Sequence, residues 1–123
     1  MTTFANDSAW KAVQIGAGGF LTGIDVAPDG TMVARTDTYG AYIWNGTGWT
    51  QLVTVNSMPA NVTFTSGVYE IRVSASNSSI IYMEMADGIY KSTDKGQHWV
   101  KTSFPGTSNP NGDLRMDGQK MAI

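Results

Sequence analysis

An all-β fold of short antiparallel strands follows from three features of this 123-residue sequence. Charged residues make up only 15% of it, and its 14 glycines accompany Trp, Tyr, Val, Ile and Thr. Such a mixture suits turns and pleated strands better than helices. β-type runs alternate with turn signals at close intervals, and no window of a dozen residues carries an uninterrupted apolar stripe at helical spacing. The pattern also repeats once along the chain.

Taken in order, the expected strands are Trp10–Ile15, Phe20–Ala27, Thr31–Thr36, Gly40–Asn45 and Gly48–Val53, then Tyr69–Ala75, Ser79–Met85, Gly88–Ser92 and Gln97–Ser103. Between them stand Pro28-Asp29-Gly30, Asn45-Gly46, Asn77-Ser78-Ser79, Asp87-Gly88 and Asp94-Lys95-Gly96. In each, glycine's tolerance of positive φ or an Asx side chain bonded to nearby backbone makes a tight turn easy.

The repeat gives these strands an architecture. Ile24-Asp25-Val26 matches Ile71-Arg72-Val73, Gly40-Ala41-Tyr42 matches Gly88-Ile89-Tyr90, and Trp49 matches Trp99, at offsets of 47, 48 and 50 residues. About four strands per unit at a period of roughly 40–50 residues is the pattern of β-propeller blades. A first blade is expected over residues 10–55 and a second over 65–105. Met121-Ala122-Ile123 falls in the register of a third, beginning near 118. Ser103–Asp113 reads as a loop between blades. Two blades and one strand make an incomplete propeller, whose uncovered blade faces favour self-association. Three copies supplying about six blades form the simplest ring.

Composition narrows the partners. Eight basic against ten acidic residues, with no basic cluster, leave no footprint for nucleic acid. No apolar run approaches the roughly 20 residues that span a bilayer, and the N-terminus reads as no secretory signal. Without cysteine there are neither disulfides nor thiolate sites, and the single histidine, His98, supports neither a histidine zinc site nor a Ser-His-Asp triad. Asp25, Asp29, Asp87 and Asp94 read as separate turn residues without EF-hand spacing. No metal or cofactor is expected. Gly16-Ala17-Gly18-Gly19 fails as a dinucleotide loop, since a strand rather than a helix follows it.

Ser92-Thr93-Asp94-Lys95-Gly96-Gln97-His98-Trp99 fits Ser-x-Asp-x-Gly-x-x-Trp, the Asp-box. Asp can bond backbone amides of the turn, Gly permits a left-handed residue, Ser can bond across the hairpin, and Trp packs into the blade. Ser92, Asp94, Gly96 and Trp99 are therefore read as structural. The first blade keeps only a remnant, Asn45-Gly46-Thr47-Gly48-Trp49.

The stretches Trp10-x-x-Val13-x-Ile15-Gly16-x-Gly18-Gly19-Phe20 and Ala34-Arg35-Thr36-Asp37-x-x-Gly40-Ala41-Tyr42-x-Trp44 resemble the opening of glycoside hydrolase family 74, the xyloglucan and oligoxyloglucan hydrolases. Tyr90-Lys91-Ser92-Thr93-Asp94 and Gly118-Gln119-Lys120-Met121-Ala122-Ile123 resemble that family too. The resemblance covers Trp10 to the end, which corresponds to the first two blades of a two-propeller, usually secreted enzyme. It implies an inverting mechanism with one aspartate from each propeller. Asp37, in Arg35-Thr36-Asp37, is then the candidate general base, while the acid belongs to the second propeller. The chain departs from the family at Thr38-Tyr39, where a small residue and Gly are usual.

Read from the residues alone, Asp37 is a turn-capping aspartate between two strands, and it is the resemblance that makes it a candidate base. Tyr39 and Trp10, outside the repeating register, are the candidates for contact with a sugar. Tyr42, Trp44, Trp49 and Trp99 recur in register and read as packing between blades. Three functions remain open: a β-1,4-glucan hydrolase segment inactive by itself, an oligomeric carbohydrate-binding propeller, and a purely structural assembly.

Overall fold

A computed structural model describes residues 19–60, 62, 67–105 and 121–123. It is all-β. β1 (Leu21–Val26), β2 (Met32–Thr36), β3 (Ala41–Trp44) and β4 (Trp49–Gln51) form one antiparallel sheet in chain order. β5 (Glu70–Val73), β6 (Ile81–Met85), β7 (Gly88–Ser92) and β8 (Val100–Pro105) form the second in the same way. Two consecutive four-stranded meanders are the form of propeller blades.

Side-chain alternation builds the core. On β6 and β7, Ile81, Met83, Met85, Tyr90 and Ser92 are buried, while their neighbours Tyr82, Glu84, Ile89 and Lys91 on the other face are half-buried, as a pleat exposed on one side requires. The buried row joins Ile71 and Val73 of β5 and packs on Val33, Ala41, Leu52 and Val53 of the first sheet, so both sheets share one hydrophobic cluster. β2 is buried on both faces over Val33–Thr36.

The turns take the geometry their residues favour. Asp29 Oδ1 accepts the Thr31 amide beside Gly30, whose φ is 88°. Asn45 Oδ1 accepts the amides of Thr47 and Gly48 around Gly46 at φ 100°. Asn77 Oδ1 accepts the Ser79 amide.

Charge crosses between the sheets in the midst of this core. The Arg35 guanidinium is buried, with Nε 3.5 Å from Glu70 Oε1. Glu70 Oε2 lies 3.6 Å from Arg72 Nη2, and Arg72 Nη1 donates to Asp25 Oδ1 at 2.9 Å. Asp25 Oδ2 accepts the Val73 amide at 2.8 Å, and Glu70 Oε1 accepts that of Ile71. Two cations and two anions thus alternate from β2 through β5 to β1. Gly23 is part of the arrangement, because a Cβ there would stand 2.6 Å from Arg35 Nε.

Several boundaries differ from expectation. The strand expected over Gln97–Ser103 begins at Val100, since the Trp99 amide donates to Ser57 O instead of a sheet partner. It continues to Pro105, so Ser103 belongs to β8 and not to a loop. Asp25 is a strand residue rather than a turn residue. Met121–Ile123 carries no strand. Trp10–Ile15, residues 106–113 of the expected inter-blade loop, and 118–120 lie outside the described residues.

Replacing Glu70 tests the charge relay. Glu70→Gln takes the salt-bridged carboxylate away from the buried Arg35 and should cost about 3–5 kcal/mol in urea unfolding. Adding Arg35→Met should return much of that loss. An unchanged midpoint in Glu70→Gln would refute the importance of the pair.

Candidate functional site

Asp37 follows β2 in the connection to β3, Asp37–Gly40. Its amide donates to Phe20 O at 3.0 Å, and its Oδ1 accepts the Phe20 amide at 2.7 Å. This reciprocal pair ties the connection to the start of β1. The Thr38 hydroxyl also donates to Asp37 Oδ1, at 3.3 Å. The residue is 8% exposed.

The loop is wound tightly by Thr36. Its hydroxyl lies within bonding reach of the carbonyls of Thr38 and Gly40, and its amide donates to Gly40 O. Closing the turn forces two successive left-handed residues, Tyr39 at φ 63° and Gly40 at φ 76°. Gly40 is obligatory, because a Cβ there would meet Val53 Cβ at 2.5 Å. Tyr39 has no such excuse: a bulky residue in this region is strained by roughly 1–2 kcal/mol. Gln51 Nε2 holds it there by donating to Tyr39 O at 3.0 Å. The Tyr39 side chain is 45% exposed.

Asp37 and Tyr39 are therefore brought together on one loop, with one carboxylate turned inward and one ring turned outward. Trp10 lies outside the described residues. Of the aromatics in register, Tyr42 and Trp99 are buried, whereas Trp44 is exposed and meets Trp49 edge-on at 5.6 Å.

The turn at Asp94 lies at the opposite end of its sheet, as a connection from third to fourth strand must. Ser92 Oγ accepts the amides of Asp94 and Gly96 and donates to Asp94 Oδ1. Asp94 Oδ1 accepts the His98 amide, while His98 Nδ1 is 2.7 Å from Oδ2. Lys95 and Gly96 are left-handed at φ 58° and 82°, and a Cβ on Gly96 would strike Leu52. The Trp99 indole reaches back to the first sheet and donates to Leu52 O at 3.0 Å. Between this turn and the Leu52–Ser57 segment lies a cleft of about 310 Å³, lined by Thr50, Asn56, Lys95 and Gln97 among others. Among the described residues no group of His, Asp and Glu is placed to hold a metal ion.

Two carboxyls here are strongly acidic. Burial works to raise Asp94, but hydrogen bonds from the His98 ring, the His98 amide and Ser92 outweigh it and bring the pKa to about 2. Asp29 is also brought to about 2, by the Ser78 hydroxyl and by Thr31. Ser78 stands in the turn between β5 and β6, at the end away from Asp37.

Sequence reasoning missed Glu70 and Thr36 as organisers of this region. Glu70 had a signal, since at the 47-residue offset it stands where the first blade has Gly23. An acid replacing glycine at an inner strand position calls for a buried cation. Thr36 had none beyond its motif.

No family model matches the sequence, and no curated protein matches it. Among solved structures the chain is similar to the crystal structure of the GH74 xyloglucanase from Xanthomonas campestris, at 22% identity and a TM-score of 0.34. The match covers 79% of this chain and 23% of that one, so the chain spans about a quarter of that protein's length.

The acidic carboxyls set a pH response. Both are ionised in the fold well below the ordinary value of 3.8, so between about 2 and 3.8 the unfolded chain binds more protons. Their contribution is complete above that window and disappears as pH falls through it. Thermal unfolding followed from pH 5 down to 2 should show this decline, and Asp94→Asn should flatten it. An equally steep decline in that variant would remove Asp94 as a source.

Proposed function

We propose that this chain is a carbohydrate-binding blade pair related to glycoside hydrolase family 74, which holds a β-1,4-linked glucan such as xyloglucan without cleaving it by itself. One observation carries the proposal: on the loop where that family keeps its base, Asp37 faces inward on the Phe20 amide while Tyr39, two residues on, is exposed in a strained backbone conformation. An inverting hydrolysis needs a water-accessible carboxylate and a second carboxyl roughly 6.5–9.5 Å away across the bond. The inward hydrogen bond of Asp37 favours its holding the loop over its activating water. Strain held at a ligand-facing loop is a common mark of a recognition site. A tyrosine ring offers an apolar face to the C–H face of a pyranose and a hydroxyl to its rim.

Calorimetric titration with xyloglucan oligosaccharides separates binding from turnover. Binding is expected without release of reducing sugar, and Tyr39→Ala should weaken it by about tenfold, the equivalent of roughly 1.4 kcal/mol. Tyr39→Gly should lose the same affinity while keeping or raising the unfolding midpoint, since glycine relieves the left-handed strain. Reducing-sugar release that disappears in Asp37→Asn would establish hydrolysis instead. No binding at all would leave the chain a structural piece.

A further inference from the structure

Ser92, Asp94, Gly96 and Trp99, the fixed positions of the Asp-box, are occupied in holding the turn together. The positions between them are placed differently. Lys95, Gln97 and His98 are exposed and line the cleft of about 310 Å³ between this turn and the Leu52–Ser57 segment. Thr50 and Asn56, also exposed, line it from the first sheet's side, and Ile43 and the buried Leu52 give it apolar surface.

The two sides of the cleft belong to different blades, yet they are fastened to each other. The Trp99 amide donates to Ser57 O at 2.9 Å and its indole to Leu52 O at 3.0 Å. Ser57 Oγ donates to the same Leu52 carbonyl at 2.7 Å. The cleft is therefore formed before a ligand arrives, which removes much of the ordering cost of binding. Its size is at the lower end of the roughly 300–1,000 Å³ usual for ligand pockets, so it suits a small molecule.

Charge selects the ligand. Among the described residues no carboxylate lines the cleft, although acids outnumber bases in the chain. Lys95 takes part in none of the ion pairs found among those residues. Asp94 is engaged by His98 and Ser92, and Asp29 feels Lys95 only as the weakest influence on its acidity. The Lys95 backbone is fixed, at φ 58° with its amide donating to Ser79 O at 3.0 Å. An ammonium in this setting calls for an anion. The hydroxyl of Thr50 and the amides of Asn56 and Gln97 suit a ligand rich in hydroxyls, and Ile43 and Leu52 suit its C–H surface. We propose that this cleft binds a hexuronate, a pyranose bearing a carboxylate, with Lys95 pairing the carboxylate. The site lies at the opposite end of the sheet from the Asp37 loop and does not rest on glucan binding there.

Calorimetric titration of the 123-residue chain with glucuronate, glucose and inorganic phosphate tests it. Glucuronate should bind about tenfold more tightly than glucose, which lacks only the carboxylate. Lys95→Asn removes the ammonium, and asparagine tolerates the left-handed backbone. That variant should lose about tenfold in glucuronate affinity while its thermal unfolding midpoint stays unchanged. Should it unfold, Lys95→Gly takes its place. In nuclear magnetic resonance spectra, glucuronate should move the amide signals of Gly96 and Asn56 and leave that of Tyr39 in place. Equal affinity for glucose, undiminished binding after Lys95→Asn, or no binding at all would each overturn the proposal. Phosphate binding as tightly as glucuronate would overturn it too, by reducing the cleft to a general anion site.

Discussion

Everything in these two sheets is arranged around a guanidinium that has been taken out of water. A buried arginine is tolerable only with a counter-charge and hydrogen bonds at close range. Arg35 finds its carboxylate at 3.5 Å on Glu70, in the other sheet, and a hydroxyl at 3.2 Å on Thr22. The first blade therefore cannot complete its own centre. Burial lowers the affinity of Arg35 for its proton, and Glu70 counters that effect. Gly23 stays side-chain-free to admit Arg35, and Arg72 bridges Glu70 to Asp25, so three strands, β1, β2 and β5, are set by one charge.

With the middle fixed by charge, the two ends are fixed differently. At one end, the Trp99 amide donates to Ser57 O and its indole to Leu52 O, hydrogen bonds between short loops. At the other, Thr36 donates its amide to Gly40 O, and Val68 donates to Thr36 O, joining the Asp37 loop to the chain that leads into β5. The candidate recognition loop is thus supported by backbone from both blades. Such support is what allows Tyr39 to persist in a conformation that an unsupported loop would relax.

Much of the fold was legible because its determinants are local. Asn45-Gly46, Pro28-Asp29-Gly30 and Asp94-Lys95-Gly96 each specify a turn through side-chain hydrogen bonds within a few residues. Strand alternation specifies which face of Ile81–Met85 is buried. What escaped was nonlocal. The start of β8 at Val100 depends on Trp99 bonding the Leu52–Ser57 segment, and the inward turn of Asp37 depends on the Phe20 amide. Neither partner is signalled by spacing. A motif could nominate Asp37 and Tyr39, but only tertiary structure could show that the two side chains point to different environments.

The hydrogen bond from the Val73 amide to Asp25 Oδ2 has one more effect. β5 borders its sheet, and an unoccupied row of border amides is a template on which foreign strands can add, the first step toward fibrils. At Val73 that template is capped by a carboxylate from the neighbouring blade, with Arg72 bound alongside. Asp25 thereby protects the border against indiscriminate strand addition at that point.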